Sequence, residues 1–404
     1  MQSRSMLYLV SWLSTVSAGI AATLFSVYLP LIAAELAGGV ASPEYVAQTG
    51  SYAGAAFLLG WAIGAFILGA VGDRVGRRLA LFASVLTCSI GIISTAFATS
   101  LPILVAIRFL TGAGAGGILL LTAVMVSEAW ATGNRARMVG ILINAFPVGF
   151  IVSGLIAKNV DDWRTAYLIG GSTIVLAASI LVVVKESDWW KSSKEDHVIQ
   201  HRQREHVLDS KYRTDLIAGI LLFGSMLVGL WAVFVWMPTW VHKLSAPDVA
   251  QHNRSLTTIM LGAGSFAGGI LSGPLSNALG RKRAAAFGYI GCIVLTACTF
   301  LTGLQPGVLL LALTFTLSLF IGVNQGVLSG YIPELFPTLI RGAATGISMN
   351  AGRLLTTITV FFVGVLVQTL GGYNNAIFVF SGAYVVGLVT LMFARETRGQ
   401  ELPR

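Results

Sequence analysis

Apolar residues in this chain run unbroken for long stretches divided by short polar punctuation, instead of alternating or recurring along one helix face. Such stretches suit a membrane-crossing α-helix, which needs roughly 20 apolar residues to pass a hydrocarbon core about 30 Å thick. The first extends from about Leu7 to Ala34, longer than the apolar region of a signal peptide, and reads as a retained span. Eleven more follow, near 47–71, 79–99, 102–127, 137–157, 165–184, 214–241, 255–279, 284–303, 306–330, 342–369 and 374–394. Six precede the longest polar stretch, Glu186 to Arg213, and six follow it. The pattern predicts an all-α polytopic membrane protein with twelve transmembrane helices. Its parts are an N-terminal six-helix bundle over 1–185, a linker over 186–213 and a C-terminal six-helix bundle over 214–404.

Composition agrees. The 404 residues are 55% hydrophobic and 11% charged, against roughly 45–50% and 25% in a soluble domain. The loops left over are too short for a catalytic domain in water, so the chain does not read as an enzyme. Cys88, Cys292 and Cys298 lie inside apolar stretches and read as small buried hydrophobes. His197, His201 and His206 sit on the polar linker, and a charged surface explains them better than a metal site. No cofactor is implied. The net charge of +9 has no stacking surface beside it, and nucleic acid is not an expected partner. Its distribution is a topology signal: of 26 Lys and Arg, Arg108 and Arg353 fall within spans, and Lys158, Arg164, Lys243 and Arg254 fall on one side. The rest fall on the other. By the positive-inside rule that side is cytoplasmic and holds both termini, and the short loops suggest a bacterial inner membrane.

The two halves share one plan. The turn after span 2 reads GAVGDRVGRR from Gly69, and the turn after span 8 reads GPLSNALGRK from Gly273. Glu128 and Arg135 stand seven apart, as do Glu334 and Arg341, and Asn144 and Asn350 are related by the same offset of 206 between the halves. Tyr28 and Pro30 correspond in the same way to Trp236 and Pro238. Parallel repeats of this kind suggest alternating access around a site near the bilayer midplane.

The repeated ten-residue turn and the six-plus-six layout resemble the major facilitator superfamily over nearly the whole chain. Finer phrases resemble its sialate and monocarboxylate proton symporters and the organic-ion transporter branch. These are RFLTGAGAGG from Arg108, SEAW from Ser127, ESDWW from Glu186, YIPELFPTLIRG from Tyr331 and ETRGQEL from Glu396. The resemblance implies a major facilitator fold of two pseudo-symmetric bundles and a conformational role for Asp73, Arg74, Arg77 and Arg78. It also places Arg108 in a span-4 motif associated with coupling. One departure stands out: many members of that branch carry an aspartate motif in span 1, where this chain has no acid.

Particular residues carry the functional expectation. Arg353 lies some eleven residues into span 11, roughly 16 Å at 1.5 Å per residue, too deep to snorkel out of a core about 30 Å thick. A planar guanidinium there matches a carboxylate and is the expected anchor of an anionic substrate, the alternative being a pairing with Asn350 or backbone carbonyls. Asn144, Asn350, Asn324 and Gln325 are expected to add a polar lining, and Tyr28, Trp231 and Trp236 its aromatic walls. Helix packing and interfacial belts explain these residues equally well. Arg108 either faces protein or snorkels. Asp73 with its arginines reads as a latch, weaker in the second copy where Asn277 and Ala278 replace Asp73 and Arg74. Glu128 and Glu334 are expected near Arg135 and Arg341, the arginines that follow them. Pro30, Pro147 and Pro238 should kink their helices, and glycine pairs such as Gly60/Gly64, Gly264/Gly268 and Gly269/Gly273 should let helices approach closely.

The expected function is transport of a small organic anion, a carboxylate, by a monomer in a lipid bilayer, with protons as the coupling ion. A drug or metabolite exporter, a sugar-type facilitator and a non-transporting membrane sensor stay open as alternatives.

Overall fold

The computed structural model describes residues 4–130, 134–187, 190, 207, 209–337 and 340–398. Among these there is no strand, and twelve helices are long and apolar enough to cross a membrane. They are α1 (Arg4–Leu36), α2 (Pro43–Val75), α3 (Arg77–Thr95), α4 (Leu101–Ala129), α5 (Arg135–Ile143 and Phe146–Asn159) and α6 (Trp163–Gly171 and Ile174–Val183). The second set is α7 (Arg213–Leu244), α8 (Ala250–Leu279), α9 (Arg281–Phe300), α10 (Val308–Glu334), α11 (Arg341–Thr369) and α12 (Tyr373–Ser381 and Ala383–Phe393). The chain divides into two compact units. One comprises Met1–His201 with Arg254–Ile259, the other Arg202–Asn253 with Met260–Arg404. The linker histidines and Trp189 lie outside the described residues.

Helix ends follow local chemistry. Ser42 caps α2, its hydroxyl accepting the Tyr45 N–H at 3.2 Å, with Pro43 in the first turn where its missing N–H costs nothing. Asp162 caps α6 through the Thr165 N–H at 2.8 Å. The repeated turns owe their glycines to backbone geometry. Gly76 (φ 124°) alone separates α2 from α3, and Gly280 (φ 91°) alone separates α8 from α9. A side chain at either position would be strained.

Within the first unit, Gly60 and Gly64 of α2 sit against the backbone of Phe109 and Ala113 in α4, and Gly112 and Gly116 of α4 return the contact on Phe57 and Trp61. In the second unit, Gly264 and Gly268 of α8 meet Phe315 and Leu319 of α10. Gly273 meets nothing, so the expectation that it packs helices does not hold. α1 and α7 are the most buried helices, and hydroxyls along α1 return to their own helix, as when Thr15 donates to the Ser11 carbonyl at 2.9 Å. Pro30 and Pro238 lie inside continuous helix, whereas α5 is interrupted just before Pro147. Cys88 and Cys292 are buried, but Cys298 points outward from its helix, against expectation.

Candidate functional site

The α2–α3 and α8–α9 turns each carry an ion-pair cluster. In the first unit Arg77 is bonded to Asp73, Nη1 to Oδ1 at 2.5 Å, and its Nε lies 3.6 Å from Glu128. Arg78 donates to the Leu181 carbonyl, the Asp73 carbonyl accepts from the Trp190 indole at 2.9 Å, and Arg74 is exposed. Glu186, just past α6, folds back and accepts the N–H groups of Arg77 at 2.8 Å and Arg78 at 3.2 Å. It thereby caps α3, the helix end whose free N–H groups favour an anion.

The second unit repeats the device. Glu396, just past α12, accepts the N–H groups of Arg281 at 3.0 Å and Lys282 at 3.1 Å. Burial pushes the pKa of this carboxyl up, and backbone N–H donors from Arg398, Lys282, Arg281 and Thr397 outweigh it, leaving the carboxyl below its ordinary range. Arg281 grips Glu334 with both Nε and Nη2 at 3.0 Å, and Thr397 donates to the same carboxylate at 2.5 Å. Within its own unit the Arg281–Glu334 pair is bidentate where Arg77–Glu128 is a single longer approach, and Asn277 stands where the first unit has the Asp73 carboxylate that pairs with Arg77.

One correction concerns the arginines. Glu128 and Glu334 pair with Arg77 and Arg281, not with Arg135 and Arg341. Arg135 donates to the Ser127 hydroxyl at 3.2 Å, and Arg341 to the Phe336 carbonyl at 3.2 Å. The reason is geometric. Each glutamate stands at the end of one helix, and the arginine seven residues on begins the next.

Deep polar groups lie within each unit. Arg108 is 2% exposed and faces protein: Nη1 donates to the Ala21 carbonyl at 2.7 Å, and the guanidinium lies 4.3 Å from the Phe57 ring centre and 4.8 Å from that of Phe25. Rings and a carbonyl offset part of the desolvation cost of a buried cation. Arg353 donates from Nη1 to Asn350 Oδ1 at 3.1 Å and lies 5.7 Å from the Phe223 ring centre. Asn324 is wholly buried against α9, and with its amide O and N assigned to suit their neighbours it donates to the Ala285 carbonyl at 2.9 Å and accepts the Tyr289 N–H at 3.0 Å. It is committed to helix packing and is withdrawn as a substrate ligand. Gln325 is half-buried beside it, and Asn144 ends the first segment of α5. Tyr28 is buried and donates to the Val160 carbonyl at 2.5 Å. Trp231 and Trp236 are buried in α7, and Trp236 stacks on Tyr373 at 5.6 Å.

Comparison with known proteins places this architecture. The sequence profile of the Major Facilitator Superfamily matches residues 11–358 and again 256–404. The chain belongs to this superfamily. It is 28% identical over 355 residues to the cis,cis-muconate transport protein of Acinetobacter baylyi, covering 84% of this chain and 83% of the relative. It is 26% identical over 378 residues to the niacin transporter of the same organism, covering 85% and 84%. In structure it matches the inward-open xylose transporter XylE of Escherichia coli with a TM-score of 0.80 at 19% identity, over 99% of this chain and 98% of that one. That likeness establishes the fold.

As a major facilitator protein the chain is a multi-pass membrane transporter and not an enzyme. Three of its residues escape the sequence reading. Arg254 counts there as a loop charge, but α8 begins five residues earlier than the apolar run, which puts Arg254 inside the helix at 1% exposure, 5.5 Å from the Tyr28 ring centre. Its Nε and Nη1 have no hydrogen-bond partner among the described residues. Glu186 and Glu396 are the other two. Their signal is present, a glutamate closing each half at equivalent places, but a cap formed more than a hundred residues away has no local signature.

Proposed function

We propose that this transporter carries a small organic anion, a carboxylate, across a bacterial cytoplasmic membrane by alternating access of its two halves, with both termini in the cytoplasm. The observation that carries the reading is the placement of charge along the helices. Arg108, Arg254 and Arg353 lie within helices, whereas every described carboxylate lies in a loop or in the first or last turn of a helix. A membrane interior supplied with fixed cations and lacking fixed mid-helix anions favours an anionic cargo. Arg353, with the Asn350 amide and the Phe223 ring beside it, offers a charged fork, a neutral polar group and an apolar face, a set suited to a carboxylate on a flat organic frame. The names of the relatives support the class: muconate carries two carboxylates, and niacin carries one on an aromatic ring.

The test is counterflow in proteoliposomes with a panel of carboxylates, sugars and cationic dyes, for the natural chain and Arg353→Gln. Removing one charge-assisted hydrogen-bonding partner costs about 1.5–3 kcal/mol, or roughly 10- to 100-fold in affinity. Arg353→Gln should lose carboxylate exchange on that scale while keeping its thermal stability. Undiminished exchange would remove Arg353 as the anchor. Coupling belongs to the same proposal, with the proton as the coupling ion. An imposed pH gradient should drive accumulation, and indifference to the gradient would make the protein a facilitator.

A further inference from the structure

The second unit holds an apolar cleft that the transport reading does not use. The first two turns of α7 and the last segment of α12 leave a space of about 530 Å³ between them, lined by Ile217 and Leu221 on one side and by Val385, Val389 and Phe393 on the other. That volume lies in the range of small-molecule sites, roughly 300–1,000 Å³. Polar groups are scarce in it: Thr390 spends its hydroxyl on the Val386 carbonyl at 2.7 Å, and Thr214 stands at the rim. Ile217, Val385, Val389 and Phe393 are all exposed, so the cleft opens away from the bundle interior. From Val385 to Phe393 it runs about 12 Å along the helix at 1.5 Å per residue, ending at the helix termini where the chain leaves the membrane.

The mouth carries charge of one usable sign. Lys211 and Arg213 are exposed at the start of α7, with the Lys211 ammonium 4.7 Å from the Tyr212 ring centre. Arg395 and Arg398 are exposed just past α12. The acids nearby are largely engaged: Asp215 is 3.4 Å from Arg395, and Glu396 is occupied by backbone N–H groups. Among the described residues Asp209 is a further acid nearby, two residues before Lys211.

We infer that this cleft is a binding site for an anionic phospholipid, with one acyl chain between α7 and α12 and the phosphate at Arg213 and Lys211. An apolar slot opening sideways within the membrane suits an acyl chain, and basic residues at the adjoining boundary suit an anionic headgroup. A neutral lipid satisfies only the first requirement, and a second copy of the chain would bring the same basic residues against themselves.

Native mass spectrometry of the full-length protein tests this, after equilibration with equal amounts of phosphatidylglycerol and phosphatidylcholine. The natural chain should retain one phosphatidylglycerol in at least five-fold preference over phosphatidylcholine. Val389→Trp, which fills the cleft, should lose that lipid, and Ile217→Trp, which fills it from the opposite wall, should do the same if the first variant folds poorly. Arg213→Glu should lose the preference while still binding either lipid weakly. Equal retention of both lipids by the natural chain would overturn the inference. So would a preference unmoved by either tryptophan in folded protein, or a dimer that the tryptophans dissociate.

Discussion

Glu396 makes the second junction sensitive to acid. Its carboxyl is held below the ordinary range against the raising effect of burial by four backbone N–H donors. A group whose native pKa is depressed contributes stability above its unfolded value, here near 4.5, and loses it as pH falls through the native value. The difference in melting temperature between the natural chain and Glu396→Gln should therefore be full at pH 7 and shrink below about pH 4.5. A difference that stayed constant from pH 7 to pH 4 would contradict the capping role. Asn324→Leu should lower stability by about 1–3 kcal/mol, because it leaves the Ala285 carbonyl and the Tyr289 N–H without their partner. A thermal melt in detergent would show it. At this scale the sequence is only partly legible. Depth along an apolar run exposes Arg108 and Arg353 as unusual, since no neighbour is needed to see that a charge stands in hydrocarbon. Which partner each finds is decided by helices distant in the chain. Thus Asn324 reads as a site residue until α9 is seen against it, and Glu128 reads as the mate of Arg135 until α3 supplies Arg77.

Helices are far more legible, because twenty consecutive apolar residues have few other fates. The runs place all twelve, and the errors lie at their ends, where polar residues continue the helix beyond the hydrocarbon. α8 is the case that matters: it begins at Ala250, and Arg254 becomes a buried group instead of a loop charge. Glycine spacing is legible in part. Gly64 and Gly268 stand against the backbone of a neighbouring helix, whereas Gly273, in the same kind of spacing, meets nothing. Gly64→Val and Gly268→Val should each force α2 from α4, or α8 from α10, and overpacking of this kind costs typically 1–3 kcal/mol or more. Gly273→Ala should be near neutral or slightly stabilising. Melting temperatures of the three variants would check the set, and a large loss at Gly273 with none at Gly64 would reverse the assignment.

For the whole molecule, the duplicated turns and the charge asymmetry carry most of what the chain reveals about itself. The duplication is legible because each copy must solve the same problem, joining two spans through one residue with positive φ, at Gly76 and Gly280. The orientation proposed from the positive-inside rule is open to a direct check in cells. With Cys88, Cys292 and Cys298 replaced, a membrane-impermeant thiol reagent should label Pro247→Cys between α7 and α8, and spare Asn134→Cys between α4 and α5. The converse pattern would invert the topology. Cargo is the least legible property, since a family fold accommodates many solutes and only the arginines within the helices favour one sign of charge. The most direct test is counterflow with an organic acid that the natural chain exchanges, set against the primary amide of the same acid, which keeps the shape and removes the charge. The acid should exchange, and the amide should neither exchange nor compete. An amide as effective as its acid, or exchange confined to sugars or cations, would contradict the account.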